Sequence, residues 1–169
     1  MLPTADHGNA VAALYQSLKQ YRREVRNDRR LPVPPADSVT LHDAVCGSQI
    51  TLDARFDDDR LVELGHRVRA CSLGQATTAI LVRRARGLDA DTLGRVHDQL
   101  RSILAGDDTR CDWPELEVFA LTREIPGRRG SAELPFHALK QLFHRAGIIG
   151  APLDRDVAIT TLTSGGNEP

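Results

Sequence analysis

The stretch Ser38-Val-Thr-Leu-His-Asp-Ala-Val-Cys46-Gly-Ser-Gln-Ile-Thr-Leu-Asp-Ala-Arg-Phe56, with the Asp57-Asp-Asp59 turn and Arg60-Leu-Val-Glu-Leu-Gly-His-Arg-Val-Arg-Ala70 after it, decides the fold. Val39 and Leu41 alternate with polar residues, and so do Ile50, Leu52, Ala54 and Phe56. Beyond the acidic turn, Val62, Leu64, His66, Val68 and Ala70 alternate with Glu63, Arg67 and Arg69. Successive side chains on a strand point to opposite faces, so a period of two predicts half-buried strands. Three of them joined by short links predict an antiparallel meander covered on one face.

On both sides of this sheet, placed over 38–70, the period becomes helical. Val11, Leu14, Tyr15, Leu18 and Tyr21 predict an N-terminal helix over 9–26. Leu31-Pro-Val-Pro-Pro35 cannot continue it, because proline lacks the backbone N–H, and 31–37 reads as a linker. Downstream, 71–146 reads as helical. Ser72 and Gln75 match a capping box at the start of one helix. Leu93, Val96, Leu100, Ile103 and Leu104 mark a second, Glu115 to Leu121 a short third, and Pro135 the first residue of the last, after a Pro126 to Gly130 loop. The predicted fold is α+β: a three-stranded antiparallel sheet with helices packed on one face. Residues 1–147 are expected to form one domain and 148–169 a tail, disordered at Ser164 to Pro169.

The chain has 169 residues, with 22 Lys+Arg against 23 Asp+Glu and a formal net charge of −1. That balance is not the basic excess of a nucleic-acid binder. An apolar fraction of 41% is not that of a disordered chain. No apolar run approaches the ~20 residues of a membrane helix. The N-terminus lacks the basic-then-apolar order of a secretory signal, so a cytoplasmic protein is expected. The three cysteines, Cys46, Cys71 and Cys111, are too few and too widely spaced for a disulfide framework.

Cys46 falls in the turn between the first two strands, beside Gly47, which allows positive φ. Cys71 ends the third strand and precedes a helix, whose N-terminus favours thiolate. The second and third strands are antiparallel, so the start of one lies beside the end of the other. Cys46 and Cys71 are therefore expected to be neighbours. A buried, inert thiol is the competing reading of each.

Cys46-Gly-Ser-Gln-Ile-Thr-Leu52, and Ala70-Cys71-Ser72-Leu-Gly-Gln-Ala76 about two dozen residues later, resemble the U-type iron–sulfur cluster scaffold family, that is, IscU, SufU and the N-terminal part of NifU. Leu14-Tyr15, Tyr21 and Arg26-Asn27 resemble the family's first helix. Leu116-Glu117 and Pro126-Gly-Arg128-Arg-Gly-Ser131-Ala-Glu-Leu134 resemble its sulfur-mobilisation branch. The similarity spans roughly residues 10 to 145. It implies a site where three Cys and one Asp surround zinc or a nascent cluster, with Cys46 and Cys71 as two of those ligands.

The other two ligand positions are changed. Ser48 stands where the family has Asp, and Ser131 where it has its third Cys. A neutral serine is a poor ligand, and a zinc or two-iron site wants four donors. Candidates to fill the gap are Cys111 and, placed closely before Cys46, His42 and Asp43. A homodimer pooling two Cys per subunit is a further route, with a monomer equally open. Arg128 matches an Arg of the sulfur-mobilisation branch and would favour thiolate or dock an acidic partner. His66 reads as a hydrogen-bonded core histidine, His137 and His144 as exposed.

The function implied is that of a scaffold-like protein of iron–sulfur cluster assembly, not an enzyme, presenting Cys46 and Cys71 to iron, zinc or persulfide sulfur. Its cofactor would be an iron–sulfur cluster, zinc or no metal at all. Its partner would be a cysteine desulfurase or another assembly protein. The alternative is a metal-free interaction module or sulfur acceptor that binds or regulates a desulfurase.

Overall fold

The computed structural model describes residues 5–124 and 129–150. Its elements run α1 (Ala5–Glu24), β1 (Asp37–His42), β2 (Gln49–Asp57), β3 (Arg60–Arg69), α2 (Ser72–Arg84), α3 (Ala90–Ala105), a 3₁₀ segment (Pro114–Glu124) and α4 (Arg129–Arg145). The sheet is the meander the alternation predicts, ordered β1-β2-β3 and antiparallel throughout. Its core face carries Val39, Leu41, Ile50, Leu52 and Val68, all buried. α4 packs on β1 and β2, and α2 fills the space between α1, α4 and β3. In α1, Leu14, Leu18 and Tyr21 are buried, whereas Tyr15 is exposed; the Val11 side chain is outside those described. Among the described residues no helix is long and apolar enough to cross a membrane. The expectation for Ser164 to Pro169 falls outside the described residues.

The face opposite the core is not simply solvated. Asp53, read as a polar outward residue, is fully buried, because the chain between α1 and β1 crosses over it. Arg29 exchanges two backbone hydrogen bonds with His66 at the outer edge of β3 (2.9 and 2.7 Å). The chain then passes over Gly65, where a Cβ would lie 2.7 Å from the Arg29 carbonyl oxygen and 2.9 Å from Leu31 N. A glycine inside a strand permits this close backbone approach. Asp53 receives the segment: its carboxylate accepts from Arg30 Nε (2.6 Å) and Nη2 (2.8 Å), Leu31 N (3.0 Å) and Ser38 Oγ (2.7 Å). Burial pushes the Asp53 carboxyl up. The Arg30 guanidinium, with Ser38 and the Leu31 amide, outweighs it and holds the group below the usual carboxylate range.

Three local expectations are corrected. The last helix starts at Arg129 instead of Pro135, which lies within α4. Proline there lacks the N–H that would bond to the Ser131 carbonyl, and its ring crowds that carbonyl. Ser72 and Gln75 form no capping box: Cys71 is the N-cap and makes no side-chain cap bond, and Gln75 Nε2 donates to the Ala70 carbonyl (2.8 Å). His66 is buried on the core face, but neither ring nitrogen has a partner. Burial, reinforced by Arg29, pushes its imidazole below the ordinary value.

Candidate functional site

The register of the sheet assembles the site. Gln49, the first residue of β2, pairs with His42 of β1 on one side and Arg69 of β3 on the other. Ser48 therefore lies beside the end of β3, where Ala70 and Cys71 lead into α2. The turn before β2 is closed by Asp43 N donating to the Ser48 carbonyl and Gly47 N to the Asp43 carbonyl, both at 2.8 Å. Gly47 has φ +72°, the positive value the turn requires. Cys46 is exposed at the tip and Ser48 is buried beneath it.

Five side chains then form one continuous chain of polar contacts. Asp43 Oδ1 accepts from Val45 N (2.9 Å), which aims Oδ2 at the Cys46 sulfur, 3.2 Å away. That sulfur is 3.0 Å from Ser48 Oγ, and Ser48 Oγ is 3.0 Å from Ser131 Oγ. Ser131 Oγ lies 3.2 Å from the Cys71 sulfur. The Cys71 amide donates to Ser48 Oγ (3.4 Å). Cys71 sits at the N-terminus of α2, where the backbone dipoles favour negative charge.

Two glycines admit α4 to this cluster. A Cβ on Gly130 would lie 2.8 Å from Asp43 Oδ2, and one on Gly74 would lie 2.7 Å from Ser131 Oγ. Ser131 is fully buried as a result.

The four positions singled out from the resemblance, Cys46, Ser48, Cys71 and Ser131, thus lie in one cluster, and Asp43 joins them. His42 is half-buried at the end of β1 and makes no contact within the chain of five. Cys111 does not reach it. Its thiol is buried beyond α3, 3.5 Å from Gln99 Oε1, and burial pushes it above the usual thiol range. Arg128 falls outside the described residues.

As a donor set the cluster is short of anions. One zinc holds two thiolates at about 2.3 Å each, so their sulfurs must come within ~4 Å of one another. Here two hydroxyls, hydrogen-bonded to each other, link the two sulfurs. Two thiols and one carboxylate, Asp43, are the groups that can give up a proton and bind a metal ion. Asp43 thus supplies a carboxylate to the same sulfur that Ser48 Oγ contacts.

Sequence reasoning overlooked a second set of donors. His137, expected to be exposed, is buried against His97, with Glu133 beside both. Glu133 and His137, four apart, were the available signal, since an i, i+4 pair shares a helix face.

No family model matches the chain. It is 21% identical over 112 residues to the iron–sulfur cluster assembly scaffold protein IscU of Streptococcus pyogenes serotype M1, a match covering 65% of this chain and 70% of that one. Its fold is similar to that of a nitrogen-fixing NifU-like protein (N-terminal) from Brucella abortus, with a TM-score of 0.68 and 24% identity over 79% of this chain and 97% of that one. It is also similar to a candidate iron–sulfur cluster assembly scaffold protein for the SUF system from Fervidobacterium islandicum AW-1. There the TM-score is 0.65 and the identity 18%, over 76% and 94% of the two chains.

Proposed function

We propose that this chain, similar in sequence and in fold to the U-type iron–sulfur cluster scaffold proteins, is a cytoplasmic scaffold-like protein of cluster assembly, a carrier and not a catalyst. Cys46 and Cys71 present thiolates to iron, zinc or persulfide sulfur. The observation that carries this reading is the unbroken Asp43–Cys46–Ser48–Ser131–Cys71 chain at the end of the sheet. Chance placement of one exposed and one half-buried thiol would not link them through polar partners.

Each residue has a distinct part. The two sulfurs are the soft donors that suit iron and zinc. Asp43 adds the anionic oxygen that Ser48 lacks. Ser48 and Ser131 stay neutral and act as hydrogen-bond donors towards a sulfur or sulfide in the cluster, since a hydroxyl gives up its proton far less readily than a thiol. Three anionic donors hold a metal ion less firmly than four, which suits a site that hands its cargo on.

A cleft of about 510 Å³ beside Gln75 is lined by Lys19, Arg22, Arg23 and Arg26, with no acidic residue among the described residues of its wall. It fits an acidic surface of a cysteine desulfurase or another assembly protein docking next to Cys71.

The Ser48–Ser131 hydrogen bond favours a second reading, a metal-free sulfur acceptor, because it ties up the two neutral hydroxyls that stand at the remaining ligand positions. Anaerobic reconstitution with ferrous iron and sulfide, and separate titration with zinc, decide between them. The scaffold reading expects cluster absorption in the wild type and its loss in Cys46→Ala and in Cys71→Ala. It also expects at least ~10-fold weaker zinc binding in Asp43→Asn, by analogy with removal of a supporting ligand. A colourless, metal-free wild type overturns it, and persulfide on Cys46 or Cys71 after incubation with a desulfurase then establishes the acceptor.

A further inference from the structure

We propose that His97, Glu133 and His137 form a second metal site, independent of the cysteine pair, which takes a divalent first-row transition ion of the zinc type. The three ligand atoms all lie within 4.8 Å of one another. They come from two elements: His97 from α3, Glu133 and His137 from successive turns of α4. His97 is fully buried and His137 nearly so.

The spacing is close to what an ion demands. Zinc bonds of about 2.0–2.2 Å in a tetrahedron set neighbouring ligand atoms roughly 3.3 Å apart. His97 Nε2 and Glu133 Oε1 are already 3.1 Å apart. The remaining separations need to close by about 1.5 Å at most, within the reach of side-chain torsions. The two imidazoles meet edge to face with centroids 4.8 Å apart, which places both rings at one point between α3 and α4. Two ring nitrogens with one carboxylate select zinc and its neighbours over calcium or magnesium, which prefer oxygen.

Without an ion the cluster is incompletely satisfied. His97 makes one hydrogen bond through Nε2, and its Nδ1 is buried without a partner. Turning this ring towards a metal forfeits a single bond. Phe136 stacks on His97 at 5.1 Å, and Trp113 lies 6.0 Å from Phe136, so an apolar wall backs the donors. Arg101 Nε, from a half-exposed side chain, approaches Glu133 Oε1 at 3.4 Å. It is the cation an entering metal displaces. Glu133 is partly exposed, which leaves the fourth ligand position open to water.

The test uses the full chain carrying Cys46→Ser and Cys71→Ser, which silences the thiolates, titrated with cobalt(II) and with zinc. One equivalent is expected to bind, with cobalt absorption lacking thiolate charge transfer and a melting temperature raised by zinc and restored by EDTA. Glu133→Gln and His137→Gln in that background are expected to bind at least ~10-fold more weakly while melting normally in EDTA. No saturable binding in the double-serine chain overturns the proposal, as does undiminished binding in both further variants. Should either variant fail to fold, the imidazole proton resonances of the double-serine chain give the answer. His97 and His137 signals shifting together with one equivalent of zinc support the site, and unchanged signals refute it.

Discussion

Gly74 of α2 faces Ser131 of α4 so closely that a Cβ on Gly74 would lie 2.7 Å from the Ser131 hydroxyl and 3.0 Å from its carbonyl oxygen. Helix on helix at this distance fixes the height of Ser131 in the site. The Cβ would also lie 2.9 Å from Ala70 Cβ, so little around it can yield. Gly74→Ala gains about 1 kcal/mol of helix propensity. Overpacking against backbone and a buried Cβ costs about 3 kcal/mol, the upper end for such changes. The expected net loss is about 2 kcal/mol in chemical denaturation, and an equally stable variant would show that α4 shifts without penalty.

Ser131→Cys places a third sulfur where Ser131 Oγ now contacts both Ser48 and Cys71. With Cys46, Cys71 and Asp43 this makes four anionic donors. Zinc affinity is expected to rise at least ~100-fold, in line with the strong binding of complete thiolate-rich sites. Competition with a coloured chelator measures it, and affinity equal to wild type would mean the cluster cannot contract around an ion.

The Asp53 carboxylate links acid stability to the crossing segment. Its pKa is depressed in the folded state, so its contribution is complete above the ordinary Asp value and is lost as pH falls through the lower, folded value. Asp53 should therefore supply part of the stability lost below about pH 4, beside other carboxylates lowered on folding such as Asp28 and Glu133. Asp53→Asn should shrink that acid-side loss and cost about 2–3 kcal/mol at neutral pH. This sits at the bottom of the range for broken buried ion pairs because Arg30 keeps a third of its side chain in solvent. Urea melts at a series of pH values test both statements, and an undiminished acid-side loss in the variant would point to the other carboxylates alone.

His66 governs a separate window. Its pKa is lowered on folding, so above the ordinary imidazole value near 6.5 both states are neutral. Below it the unfolded chain binds the proton first, and stability falls until the folded pKa is passed. His66→Leu removes two unpartnered nitrogens and is expected to stabilise by about 1 kcal/mol at pH 7. The gain should grow between pH 6.5 and 5, and a variant less stable than wild type at pH 5.5 would show that the imidazole has a role in packing.

Period-two alternation bounded by Gly47 and the Asp57–Asp59 turn was enough to place all three strands, since a half-buried sheet leaves its mark on every second residue. The juxtaposition of Cys46 and Cys71 followed from strand polarity alone. What the alternation hid was burial on the other face, because Asp53 looks like any solvent-facing acid until the crossing segment covers it. Gly65 was the available hint. Pro135 misplaced the start of α4 because proline favours a first turn, and Gly130 and Ser131 before it read as loop. His137 looked exposed because its partner, His97, is distant in sequence.

The segment that passes over Gly65 has one more effect. By bridging to His66, Arg29 takes up hydrogen-bonding groups that an outermost strand would otherwise offer to neighbouring molecules. The chain thereby caps its own sheet on the β3 flank. Fewer open backbone groups on that flank leave less for a strand of another molecule to pair with.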